Sequence, residues 1–209
     1  MSKIIDLLKK QILFFDGGTG TVLQGMGLKP GELPETWNLK HPEKITELHY
    51  QYFKAGANII KTNTFGAFIS KFPLELERII KAAVKNAEAA RTKCGKKDLF
   101  IAFDISSTGK LLKPMGDLDF EDCINLYKKT FNIAFKCNID CVLIETMNDG
   151  YETKAAVIAA KEVMESLKVS FPIFVTNVYD KDCRTLSGST PESMVSLLEG
   201  LGVDAIGVN

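Results

Sequence analysis

Six short apolar runs recur along the chain, and each ends on a carboxylate or a carboxamide. They are Ile12-Leu13-Phe14-Phe15 before Asp16, Asn58 to Thr62 before Asn63, and Leu99 to Phe103 before Asp104. Cys141 to Ile144 before Glu145, Phe171 to Thr176 before Asn177, and Asp204 to Val208 before Asn209 complete the set. Uninterrupted runs of this length between helix-patterned stretches predict parallel strands buried on both faces. His41-Pro42-Glu43 puts proline at a first helical position, Ile45, Leu48, Tyr52 and Ala55 form one stripe, and Gly56 ends it. Asp119 is placed to cap a helix with Phe120, Ile124, Tyr127 and Phe131 on one face. Thr190-Pro191-Glu192 opens another with Met194, Leu197, Leu198 and Leu201 inward, and Phe72 to Cys94 and Tyr151 to Lys168 fill the two gaps that remain.

The alternation is strand then helix five times, followed by a sixth strand. Polar groups at the carboxyl ends of such strands converge on one rim, which is where a (β/α) barrel does its chemistry. A full (β/α)8 barrel takes about 250 residues, and this chain has 209. The expectation is therefore an α/β fold of the TIM-barrel family. It would be an incomplete barrel of about six strands, forming one C-terminally incomplete domain over residues 1–209. The first and sixth strands would leave open edges, so self-association through the gap is expected.

Charge narrows the partners. With 26 basic and 26 acidic residues the chain offers nucleic acid or an anionic membrane no strong footprint. No apolar run is long enough to span a bilayer, and Met1 to Gln11 lacks the apolar core of a secretion signal. Five cysteines at irregular spacings fit a reducing cytoplasm better than a disulfide scaffold. The longest irregular segment, Gly25 to Leu39, falls on the active rim and reads as a lid or binding loop. Its Trp37, the only tryptophan, reads as packing that pins the loop rather than as a cover for substrate.

The richest local motif is Asp16-Gly17-Gly18-Thr19-Gly20-Thr21, directly after the first run. Its glycines allow close backbone approach and a concavity of N–H groups for an anion. Read alone, it equally describes a tight turn with a capping aspartate. Two further motifs follow in order: Ala55-Gly56-Ala57-Asn58-Ile59-Ile60-Lys61-Thr62-Asn63-Thr64-Phe65-Gly66 and Glu145-Thr146-Met147. This ordered set resembles the homocysteine S-methyltransferase family, and within it the N-terminal homocysteine-binding module of cobalamin-dependent methionine synthase. Asp204 to Asn209 resembles the family's sixth strand.

The resemblance implies a barrel that binds homocysteine at its mouth, with zinc turning the substrate thiol into a nucleophilic thiolate. The thiolate would accept a methyl group and give methionine, the methyl coming from methylcobalamin and methyltetrahydrofolate on cobalamin and folate modules of a parent chain. By resemblance Asp16 and Glu145 take the acidic substrate-binding positions, Gly17 and Gly18 supply backbone donors, and Thr19 and Thr146 are further contacts. Asn63 and Asn177 join the substrate-binding candidates as polar rim residues, and Asp104, also at a strand end, is weighed with them.

The family's three zinc-binding cysteines would all follow Asn209, so the chain is expected to be truncated before them and inactive alone. Cys94, Cys123, Cys137 and Cys141 read as structural, Cys183 is the one thiol expected on the active face, and His41 and His49 read as solvated. Other readings are a short homocysteine methyltransferase using S-methylmethionine or betaine, a non-catalytic fragment, or an aldolase-like barrel forming a Schiff base at Lys61.

Overall fold

The computed structural model describes residues 2–209. Its helices, in chain order, are α1 (Lys3–Leu8), α2 (Thr19–Gly25), α3 (Trp37–Lys40), α4 (Pro42–Ala55), α5 (Leu76–Cys94), α6 (Phe120–Ala134), α7 (Gly150–Leu167) and α8 (Pro191–Gly200). The strands are β1 (Ile59–Lys61), β2 (Phe100–Ile105), β3 (Cys141–Met147), β4 (Ile173–Asn177) and β5 (Ala205–Val208). All strand pairs are parallel and the order across the sheet is the order along the chain. This is a partial (β/α) barrel.

The first apolar run differs from expectation. It lies beside β1 in the place of a sixth strand, but its pairing is a single parallel bridge from Phe15 to Ile59. The N–H of Asp16 donates to the Ile59 carbonyl at 2.9 Å, and those of Asn58 and Ile59 both donate to Phe14. Among the described residues no strand pairs with the run on its other side, and Ile12 and Phe14 stand 77% and 62% exposed, so little burial enforces a longer ladder.

Strand periodicity divides each strand between two cores. Ile60, Ile101, Phe103, Val142, Ile144 and Val175 face outward and are covered by the helices. Ile59, Phe100, Ala102, Cys141, Leu143 and Phe174 face the barrel interior together with Ile4. Ile4 belongs to α1, a helix without a marked sequence signal. Its neighbour Lys3 pairs with Asp98 at 2.8 Å, just before β2, which fixes α1 under the amino-terminal end of the barrel.

The helix signals hold with two corrections. Gly56 ends α4 at φ 115°, a conformation open to glycine, and Thr190 caps α8 through a reciprocal pair with Ser193. Asp119 stands at the N-cap of α6, yet its side chain makes no cap bond and pairs instead with Lys113 at 2.9 Å. His49 is fully buried in α4 rather than solvated, because it falls on the same face as Ile45, Leu48 and Phe53. Within the long loop, a short 3₁₀ turn at Pro34–Thr36 leads into α3. Trp37 packs there, 2% exposed, under the Lys44 ammonium at 4.7 Å.

Candidate functional site

The inward faces of β1, β2 and β3 turn from apolar to charged at their carboxyl ends. Two residues beyond Ile59, Ala102 and Leu143 come Lys61, Asp104 and Glu145, and these three line a cavity of about 460 Å³ at the barrel mouth. Asp16 joins them from the end of the first run, its Oδ2 accepting the Lys61 N–H at 3.1 Å. The Lys61 ammonium lies 3.2 Å and 3.4 Å from the two Glu145 oxygens. Lys61 and Glu145 also line a second cavity of about 380 Å³, together with Asp16, walled below by Leu13, Leu143 and Phe174. The Lys61–Glu145 pair is thus the partition between the two spaces.

One ammonium among three carboxyl groups sets the electrostatics. Burial pushes Asp16 up from 3.8 to about 7; the N–H and charge of Lys61 restrain the rise and the charge of Glu145 adds to it. Burial, then the neighbouring Glu145, holds Asp104 well above the carboxylate range. Burial alone would lower Lys61, but Asp104, Glu145 and Asp16 outweigh it and raise its pKa. An amine held charged in this way is the reverse of the neutral nucleophile that a Schiff base requires. One oxygen each of Asp16 and Asp104 is buried without a hydrogen-bond partner. Such acceptors suit a cationic donor entering the mouth.

The walls come from three loops. Gly17 and Gly18 carry the chain over the mouth into α2. A Cβ on Gly17 would lie 3.0 Å from the Tyr52 hydroxyl, which itself donates to the Gly18 carbonyl. The loop before α3 is pinned to β1. Asn63 Nδ2 donates to the Pro34 carbonyl at 2.8 Å, Asn38 Nδ2 to the Asn63 carbonyl at 2.7 Å, and the Gly66 N–H to the buried Glu35 carboxylate. On the far side β3 shifts register between Ile144 and Met147, and Thr146 adopts φ 60°, rare for a β-branched residue. Its N–H donates to Thr176 Oγ1 at 3.1 Å, and its own Oγ1 accepts from Asn209 Nδ2 at 2.8 Å.

Among the sequence candidates, Gly18, Thr19, Asn63, Glu145 and Thr146 line the mouth cavity. Asp16 lines the adjoining one, and Gly17 stands behind the turn against Tyr52. Asn177 lies elsewhere. Its parity with Ile173 and Val175 turns it outward, fully buried, with Nδ2 on the Met147 carbonyl and Thr153 Oγ1, both at 3.3 Å. Glu35 and Asn38 hold the loop wall, but residue pattern does not announce them.

The cysteines do not gather at the mouth. Cys141 is buried in the apolar interior, Cys94 and Cys123 are in helices, Cys137 follows α6, and Cys183 is exposed. Among the described residues no group of three or more His, Cys, Asp or Glu has the arrangement to hold a metal ion. Nor, among them, is any helix long and apolar enough to cross a membrane.

Comparison with known proteins gives this geometry a family. A family model for homocysteine S-methyltransferase matches residues 13–209. The oxidized form of the homocysteine methyltransferase MmuM from Escherichia coli superposes with a TM-score of 0.80 at 21% identity, covering 97% of this chain and 75% of that one. Its metallated form gives 0.80 at 20% identity, with 98% and 76% covered. At these identities the structural likeness concerns the fold.

Proposed function

Because this chain belongs to the homocysteine S-methyltransferase family, we propose that its barrel mouth holds the amino-acid end of homocysteine and that it is the homocysteine-binding module of a methionine synthase. The observation that carries the reading is the acidic cluster of Asp16, Asp104 and Glu145 at one strand-end rim, in which one oxygen each of Asp16 and Asp104 has no hydrogen-bond partner. An α-ammonium supplies donors for these oxygens and a second positive charge that favours their ionised forms. The ordered motifs at Asp16, Asn63 and Glu145 support the methionine synthase reading. On it the methyl group originates with cobalamin and folate modules elsewhere on a parent chain.

Zinc has no fitting site among these residues, since the described cysteines lie apart. The resemblance assigns the metal to cysteines without counterparts in residues 1–209. Methyl transfer by residues 1–209 alone is not expected. What these residues do is bind and orient. Glu145 and its acidic neighbours receive the ammonium, and Thr146, Gly18 and Thr19 shape the cavity around the backbone of the ligand.

Titration of ¹⁵N-labelled protein with homocysteine under reducing conditions tests the reading. Weak binding that shifts the amides of Gly18, Lys61 and Thr146, and that Glu145→Gln abolishes, is expected. Shifts confined to residues away from the mouth, or none at saturating ligand, would overturn it.

A further inference from the structure

Lys61 is the least expected residue at an ammonium-binding mouth, because its own ammonium already occupies the carboxylate that a ligand would seek. Strand parity turns it inward after Ile59, its side chain is 15% exposed, and both Glu145 oxygens lie within hydrogen-bonding distance. The Lys61 N–H is tied to Asp16, so the backbone at this point is fixed while the four-carbon stem can swing. The pair stands between the two cavities, with room on either side for the ammonium to move.

We propose that Lys61 is a specificity-determining residue: it opens its pair with Glu145 to receive the α-carboxylate of the ligand, so that the mouth selects zwitterionic α-amino acids over amines and simple acids. This rests on the amino-acid reading of the cavity. A zwitterion inserted between Lys61 and Glu145 replaces one ion pair by two and leaves the net charge of the site unchanged. An amine displaces Lys61 from Glu145 and brings no carboxylate in exchange, leaving two cations to share the acids of the site. A carboxylic acid without an ammonium adds a further negative charge to three carboxyl groups. Selection therefore follows from charge balance, independently of the ligand's side chain. Lys71 also lines the mouth cavity, its ammonium beside Gly66 and Glu35, and is the rival for the same carboxylate.

Three probes of one skeleton separate these outcomes: methionine, 3-(methylthio)propylamine and 4-(methylthio)butanoate. Binding to the 209-residue protein is followed by NMR, with Lys61→Met and Lys71→Met variants alongside. Methionine is expected to bind at least roughly 10-fold more tightly than either analogue. Lys61→Met should erase its advantage over the amine, and Lys71→Met should preserve it. In ¹³C-lysine-labelled protein with native Lys61, the Lys61 Cε resonance should move with methionine and not revert at saturation. This readout needs no variant at position 61 to fold.

An advantage for methionine that survives Lys61→Met, an unmoved Lys61 resonance at saturation, or an advantage abolished by Lys71→Met would each overturn the proposal while leaving an amino-acid site in place. Failure of all three probes to bind the native protein would overturn the amino-acid reading and the proposal with it.

Discussion

Ile59 and Lys61, Ala102 and Asp104, and Leu143 and Glu145 are pairs two residues apart on the same strands, separated by about 7 Å, and they live in different chemical worlds. The lower members pack with Phe100, Phe174 and Ile4 in an apolar interior. The upper members, with Asp16, put one ammonium among three acidic groups, and burial pushes the pKa of two of these, Asp16 and Asp104, upward. The lower layer is a source of stability. The upper layer is electrostatically unsatisfied in a way that further folding cannot relieve, and a ligand can. β1, β2 and β3 each carry both duties at their two ends, as expected of this architecture.

The sharpest way to break this comparison is to damage each layer in turn. Phe100→Ala should cost about 3–5 kcal/mol of stability in denaturant unfolding, because Phe100 is 4% exposed in the lower layer. Glu145→Gln should cost far less, since it removes a carboxylate from a crowd of three. Equal losses would show that the mouth is a stabilising element too.

The second test uses pH. With the folded pKa of Asp16 near 7 against an ordinary 3.8, the folded state keeps a proton between those values that the unfolded state has released. Stability contributed by this group is therefore full below about pH 4 and falls as pH rises towards 7. The loss should be on the order of a few kcal/mol, and Asp16→Asn should flatten it in unfolding curves between pH 4 and 8. A more modest effect sharpens the electrostatic argument. Glu145→Gln should lower the Asp16 pKa by about one unit, read by ¹³C titration of the carboxyl. At the open edge, Ile12→Ser should change stability by less than about 0.5 kcal/mol, yet weaken any concentration-dependent association seen by sedimentation.

Much of this layout was legible in the sequence because period and punctuation act locally. The runs ending at Asn63, Asp104, Glu145, Asn177 and Asn209 lead into or form β1 to β5, and Gly56, Thr190 and Pro191 mark helix ends as their chemistry requires. The rest depends on contacts between distant segments. The six residues of α1 are too few for Ile4, Leu7 and Leu8 to make a sustained stripe, and only the open base of the barrel gives Ile4 its burial. Asn177 ends its run as Glu145 does, but one step of parity sends it to α7 instead of the mouth. Lys61 could not be read from pattern alone: the same lysine would be an amine nucleophile in an apolar barrel and is a fixed cation beside three acids. Glu35 gave no signal, since its partner is a backbone N–H 31 residues away in sequence.

Thr146 links neighbouring strands in a further way. A threonine at φ 60° acts as a torsional preload, latched on one side by the hydroxyl of Thr176 on β4 and on the other by the carboxamide of Asn209 beyond β5. Because Glu145 is the residue immediately before it, the aim of Glu145 is set by two strands besides its own. Thr146→Gly keeps the N–H bond to Thr176 but releases the Asn209 side; it would relax roughly 1–3 kcal/mol of backbone cost, offset in part by the chain entropy of glycine, and leave a looser carboxylate. The mouth thus trades resilience for aim at a single residue.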